Sequence, residues 1–235
     1  MAKNPLKDVR VRQAISKAIN RQALVERTLE GLAQPAFHLN SPGIFGYNAE
    51  LKVEAYDPQG AKKLLADAGF PDGFGLTLHG PNNRYINDEQ VVQTVAQFLN
   101  RVGIQAKVET QPLSLYFGKA RASDYSMAML GWGSLASDFT LRSIVGTPNP
   151  DTGWGTWNWG KYSNPAVDKL VQQALGSVDA TKREDFARQA VKAAMSDYAV
   201  IPSHHQIATW ALRKGLNYKG RIDEFTYAYE VHSVR

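Results

Sequence analysis

Four of the five tryptophans, Trp132, Trp154, Trp157 and Trp159, fall in one stretch running from MAMLGWGSLASDF into GWGTWNWGKYSNPAVD. They sit among glycines and prolines rather than on a periodic apolar face. A Gly-rich loop cannot pack so many indoles and still satisfy its own backbone. Clustered aromatics beside an acid, Asp138, have the chemistry of a ligand wall: flat surfaces for stacking and a carboxylate for a ligand amine or hydroxyl. The alternative is that the tryptophans staple a long loop to the domain surface. Asp138 also has two readings. Its carboxylate could stand free at a cleft mouth close to Trp132, or it could cap the helix-like run FTLRSIVG that starts at Phe139.

Other chemistry finds little footing. The chain contains no GxxxxGK[ST], HExxH, GxSxG or calcium-loop pattern. Gly131-Trp132-Gly133-Ser134-Leu135-Ala136 matches GxGxxG/A after a strand. However, a tryptophan at its second position and a place on a third strand are wrong for pyrophosphate. His204 and His205, adjacent on an extended segment, point to opposite faces and cannot easily chelate one metal. His38, His79 and His232 are isolated, so the histidines read as structural or surface residues. Asp138 and Asp151 are the carboxylates a hydrolase of peptides or glycosides would use, with Asp168 read as solvent-facing on a helix. No nucleophile–base–orienter set can be assembled, so no catalytic residue, metal or cofactor is assigned.

The elements that must position the tryptophans are signalled by period and caps. Val11, Ala14, Ile15, Ala18 and Ile19 follow a helical stripe, and Asn20 caps a short helix running to Gly31. A loop is expected from Leu32 to Tyr56. Asp57 as N-cap, Pro58 at the first position and Gly69 as the left-handed stop frame the next helix. Strands follow near Leu76–Leu78, Ile104–Val108 and Tyr125–Leu130, the last apolar on both faces and so read as fully buried. Between them run a helix through Val91–Val102, closed by Gly103, and a short one opened by Pro112. This β-α-β-α-β order predicts a parallel sheet with right-handed crossovers. The Trp-rich loop then leaves the carboxyl end of a central strand, where ligand crevices of open α/β sheets lie. Asn164 and Pro165 open a helix, and a longer one begins near Thr181. Val200–Pro202, Gln206–Leu212 and Phe225–Val231 read as strands or extended segments.

Composition fits a single globular domain. The 235 residues are 43% hydrophobic, with a net charge of +5 and no cysteine, which excludes disulfides and thiol chemistry. Mean hydropathy is −0.35, and no apolar run approaches the ~20 residues of a spanning helix. Positive charge is densest at the start, where Lys3, Lys7, Arg10, Arg12, Lys17, Arg21 and Arg27 outnumber Asp8 and Glu26. Spread along two helix-like segments, these are a solvated face, and no nucleic-acid motif accompanies them. Met1 leads into a polar amphipathic segment, so no export signal is read within the chain.

Four blocks, in order, resemble the C-terminal lobe of the family 5 extracellular solute-binding proteins: DVRVRQAISKAINR, YDPQGAKKLLADAGFPDGF, MLGWGSLASDF, and YSNPAVDKLVQQAL followed by AVIPSHHQ. This is the dipeptide, oligopeptide and nickel binding class that serves ABC importers. The resemblance implies one lobe of a type II periplasmic-binding-protein fold, residues 1–235, closing like a hinged clamp against an N-terminal lobe absent from this chain. The abrupt Met1–Ala2 start is read as a cut inside a longer protein, with the export signal outside it. A periplasmic location, a peptide or other small polar ligand and a membrane permease partner are implied, and nucleic acid is not. In peptide-binding relatives the acid after the GW turn pairs with the ligand's α-amino group. Here Asp138 matches it without the following DP, which keeps a cationic or polar ligand in view without fixing a peptide. Asn158 matches the family's asparagine before the Y-x-NP block. The ligand-binding residues implied are therefore Trp132, Asp138, Trp154, Trp157 and Asn158.

Overall fold

The computed structural model describes residues 4–234. Lys3 and the Met1–Ala2 start lie outside the described residues. The first hydrophobic core is built by helix α1 (Val9–Ala18), α3 (Pro58–Asp67) and α4 (Asp88–Arg101) against a three-stranded sheet. Its strands are β2 (Gly75–Pro81), β3 (Gln105–Gln111) and β4 (Met127–Ala128), in the order β3-β2-β4 and all parallel. Gly75 pairs with Gln105 and Pro81 with Gln111 along one edge, and Leu78 with Met127 along the other. The crossovers are α4 and α5 (Leu113–Arg121).

Local chemistry explains these elements. Asp57 accepts from the Gly60 N–H at 2.8 Å and caps α3, Pro58 follows, and Gly69 takes φ +92° after its last turn. Asn20 accepts from the Ala23 N–H at 2.9 Å, opening the short α2 (Arg21–Ala23), which widens over Leu24–Thr28 into a π turn. Gly103 takes φ +99° and turns the chain from α4 into β3.

The second core is helical. Helices α6 (Ser137–Ile144), α7 (Pro165–Leu175) and α8 (Ala180–Ser196) bury Leu141, Val145, Val167, Val171, Val191 and Met195 completely. Asn164 caps α7 and Asp179 caps α8 through the N–H groups of Ala166 and Lys182. Among the described residues, no helix is long and apolar enough to cross a membrane.

Several sequence expectations need correction. The third strand is two residues long, half-buried and at an edge, because β2 and not β4 holds the centre of the sheet. The loop expected over Leu32–Tyr56 contains β1 (Ala33–Pro35), paired antiparallel with β5 (His204–Gln206). Val200–Pro202 is irregular, and the strand comes two residues later. Beyond Gln206 the chain is mostly irregular. Among the described residues of this segment, only β6 (Leu216–Asn217) and β7 (His232–Ser233) form a short antiparallel ladder, and Phe225–Val231 holds a single 3-10 turn.

Candidate solute-binding cleft

A cleft of about 2140 Å³ opens between the two cores. On one side it meets Leu76, Leu78, Val91 and Val92, and on the other Ile144 and Trp157. The carboxyl ends of β2 and β4 both feed it, through the Arg84–Ile86 loop and through Met129–Ser134. That is where the topology of an open parallel sheet places a ligand crevice. Asp88, itself buried, shapes the first of these loops by accepting from the N–H groups of Arg84 and Tyr85 at 2.8 and 3.0 Å. Gly131 is fixed by contact: a Cβ there would meet the Tyr85 ring at 2.5 Å.

The aromatic wall is continuous. Trp132 lies edge-on to Trp157 with centroids 5.6 Å apart, Trp157 is 5.7 Å from Trp159, and Phe117 touches both Trp157 and Trp159. The chain of rings runs on through Tyr116 and Tyr125 to His79, stacked on Tyr125 at 4.1 Å. Trp132, Trp157 and Trp159 line the cleft. Trp154 does not: its ring lies 2.8 Å from where a Cβ on Gly146 would stand, and it packs against the helical core. Three of the loop's tryptophans thus stand beside the cleft, and two of these, Trp132 and Trp157, pack against the helical core as Trp154 does.

Asp138 is not a free carboxylate. It lies in the first turn of α6, fully buried, and does not line the cleft. Arg183 of α8 donates to it through Nε at 2.7 Å and Nη2 at 3.3 Å. The guanidinium is held between Phe45 and Phe139, and its bonds to Asp138 push its own pKa above the usual arginine value. Asp138 is also not the N-cap, a position Ala136 takes, although its Oδ1 accepts from the Phe139 N–H at 2.9 Å. Burial against a helix whose arginine lies 45 residues downstream overrode the local cue. Asp151 is exposed on a turn, so the two do not form a carboxylate pair for hydrolysis.

Asn158 borders the cleft, but its amide is committed to the loop's own backbone. Nδ2 donates to the carbonyls of Gly146 and Tyr162 at 2.9 and 2.8 Å, and Oδ1 accepts from the Tyr162 N–H at 3.0 Å. Asp168, expected to face solvent, is half-buried and accepts from the Thr147 N–H at 3.0 Å, tying α7 to the Trp-rich loop. No sequence signal announced Arg183 or Thr147, because both partnerships span elements.

The histidines are more involved than their isolation in sequence suggested. His204 and His205 line the cleft, and burial lowers both below an ordinary histidine. His38 is buried beside them, with its pKa lowered to about 4 by desolvation and by His205. Among the described residues, no group of three or more His, Asp or Glu side chains is placed to hold a metal ion.

A parallel α/β sheet, helices on its faces and a cleft at its carboxyl ends are the features of the periplasmic-binding-protein fold class. The solved structures agree: HbpA2 from Haemophilus parasuis superposes with a TM-score of 0.87 at 22% identity, covering 99% of this chain and 46% of that one. A Helicobacter pylori periplasmic binding protein, DppA, solved with the peptide STSA, superposes with a TM-score of 0.78 at 24% identity, over 98% and 45%. Residues 1–140 match the family "Bacterial extracellular solute-binding proteins, family 5 Middle". The chain belongs to that family. The dipeptide-binding protein of Escherichia coli K12 is 30% identical over 201 residues, 80% of this chain and 36% of that protein. The glutathione-binding protein of Shigella dysenteriae serotype 1 is 33% identical over 198 residues, 81% and 38%. The chain therefore spans well under half the length of these relatives.

Proposed function

We propose that this chain is the C-terminal lobe of a periplasmic solute-binding component of an ABC-type importer. It binds a peptide or other small polar solute in a cleft completed by a separate N-terminal lobe, and it delivers the solute to a membrane permease without catalysis. One observation carries the reading: three tryptophans of a single loop line a cleft at the carboxyl ends of a parallel sheet. The cleft is larger than the ~300–1,000 Å³ of a closed small-molecule site, as expected of one wall of a clamp. Family membership and the peptide and glutathione binding ascribed to the relatives point the same way. The ligand-contacting residues on this reading are Trp132 and Trp157, with Trp159 added. Asp138, Trp154 and Asn158 hold the loop in place.

Native mass spectrometry of the full-length gene product tests the reading. An unaltered solute bound in stoichiometric amount is the expected result, and turnover of that solute would overturn it. Because a clamp shares its ligand between lobes, this chain alone should bind at least ~100-fold more weakly than the full protein, a loss of about 3 kcal/mol. Equal affinities in calorimetry would contradict the two-lobed site.

A further inference from the structure

We infer that Arg12 and Arg21 are positioning residues of the cleft: by holding the backbone of residues 197–203 they fix the separation of the two cores, and with it the width of the site. The inference rests on the solute-binding reading only in calling that site a solute site. Both arginines belong to the basic run that reads, in sequence, as a solvated face, yet Arg21 is buried and Arg12 half-buried. The segment they hold leaves the end of α8, lines the cleft and enters β5. Ala199 and Val200 pack on the helical core, and Ile201 packs on the sheet-bearing core. It is therefore a strap from one core to the other. Tyr198, at its start, has φ +48°, a left-handed conformation that bulky side chains seldom adopt. Such a turn persists only where its surroundings over-determine it.

Arginine side chains from the opposite core supply those surroundings. Arg12, on α1, donates to the Asp197 carbonyl through Nε at 3.1 Å and Nη2 at 2.7 Å, and to the Tyr198 carbonyl through Nε at 3.1 Å. Its Nη1 is committed to the carbonyls of Leu6 and Lys7, and Nη2 also meets the Asp197 carboxylate at 2.9 Å. Toward the other end of the strap, Arg21 Nε donates to the Pro202 carbonyl at 2.9 Å, while its other two nitrogens bind the Ser16 carbonyl and hydroxyl. A planar fork holds several acceptors in one geometry, which a lysine ammonium on a flexible stem does not. Burial lowers the Arg21 pKa despite the nearby Glu54 carboxylate, since its direct bonds are to neutral acceptors. The Arg12 anchor also reaches the Trp-rich loop. Burial and the neighbouring Asp197 raise the pKa of Tyr162, the residue whose backbone Asn158 binds on both sides.

Distances between paired spin labels, together with amide hydrogen exchange, test this in the full-length protein without solute. This chain has no cysteine, so with any cysteine outside it replaced by serine, Lys63→Cys on α3 and Gln172→Cys on α7 place one exposed label on each core. Arg12→Gln and Arg21→Gln should each broaden the distance distribution about twofold or more. Exchange in residues 157–162 and 199–203 should quicken about tenfold more than in β2 and β3. Arg188→Gln, whose partner is Glu184 one turn away on α8, should do neither. Asp197→Asn keeps the carbonyl bonds and should leave the width unchanged, whereas Arg12→Lys keeps the charge, loses the fork and should broaden it. A lower melting temperature with an unbroadened distribution and uniformly faster exchange would overturn the inference. If Arg12→Gln does not fold, Arg12→Lys decides by the same two readouts. Because no solute is used, failure here leaves the solute-binding reading standing.

Discussion

The two cores hold their surroundings by different means. In the sheet-bearing core, apolar stripes on α1, α3 and α4 meet β2 and β3, with α3 bounded by Asp57 and Gly69. In the helical core, Arg183 of α8 ties down the first turn of α6 through Asp138, and the irregular segment after α6 is held by Asp168 to Thr147 and by Asn158 to the carbonyls around it. Periodic packing builds a scaffold from many interchangeable contacts, whereas a loop that must aim tryptophans at a cleft depends on a few specific ones. The second region should therefore be the more sensitive to individual polar substitutions.

Apolar truncation should not distinguish the cores. Leu99→Ala in the first and Leu141→Ala in the second, both fully buried, should each cost about 2–5 kcal/mol in denaturant titrations. A near-neutral Leu141→Ala would show that the helical core is not packed as described. Polar truncation should distinguish them. Asp138→Ala leaves Arg183 facing an apolar site, and because that arginine is about one-third exposed the cost should be roughly 2–3 kcal/mol, short of a fully buried pair. An unchanged melting temperature without ligand would return Asp138 to the role of a free cleft carboxylate.

His38 makes the contrast pH-dependent. Its folded pKa of about 4 lies below the unfolded value of 6.5, so the unfolded chain binds the extra proton between them. Its contribution is fully present above pH 6.5 and is lost as pH falls toward 4, up to about 3 kcal/mol. His38→Gln should flatten that part of the stability profile; an unaltered slope would show that His38 does not titrate this way. A smaller effect is expected for Asn158→Ala, about 1–3 kcal/mol from the carbonyls left unpaired, and a loss of nothing would remove Asn158 from the loop's framework.

The sheet-bearing core was largely legible in the sequence because its signals are local. Asp57-Pro58, Gly69, Gly103 and the 3.6-residue stripes each act within a turn or two, and the parallel pairing of three strands followed from their alternation with helices, whereas which strand holds the centre did not. The Trp-rich loop was legible as a segment bordering a cleft, but not in which of its indoles line it. Which indole turns to the cleft is decided by Gly146 against Trp154 and by Phe117 against Trp157 and Trp159, contacts between residues up to 42 apart. Asp138 was misread for the same reason: its partner, Arg183, lies on another helix. The pairing of β1 with β5 spans most of the chain and leaves almost no periodic trace in three-residue strands.

A matched pair of substitutions within that loop tests its division between cleft and core most directly. Trp159→Leu and Trp154→Leu remove the same side chain five residues apart. In the full-length protein, solute affinity by calorimetry and stability without solute should separate them. Trp159→Leu should weaken binding at least ~10-fold, about 1.4 kcal/mol, with little change in stability. Trp154→Leu should cost about 2–4 kcal/mol of stability and leave affinity unchanged. The reverse outcome, affinity lost at Trp154 and kept at Trp159, would contradict the placement of the aromatic wall on the cleft.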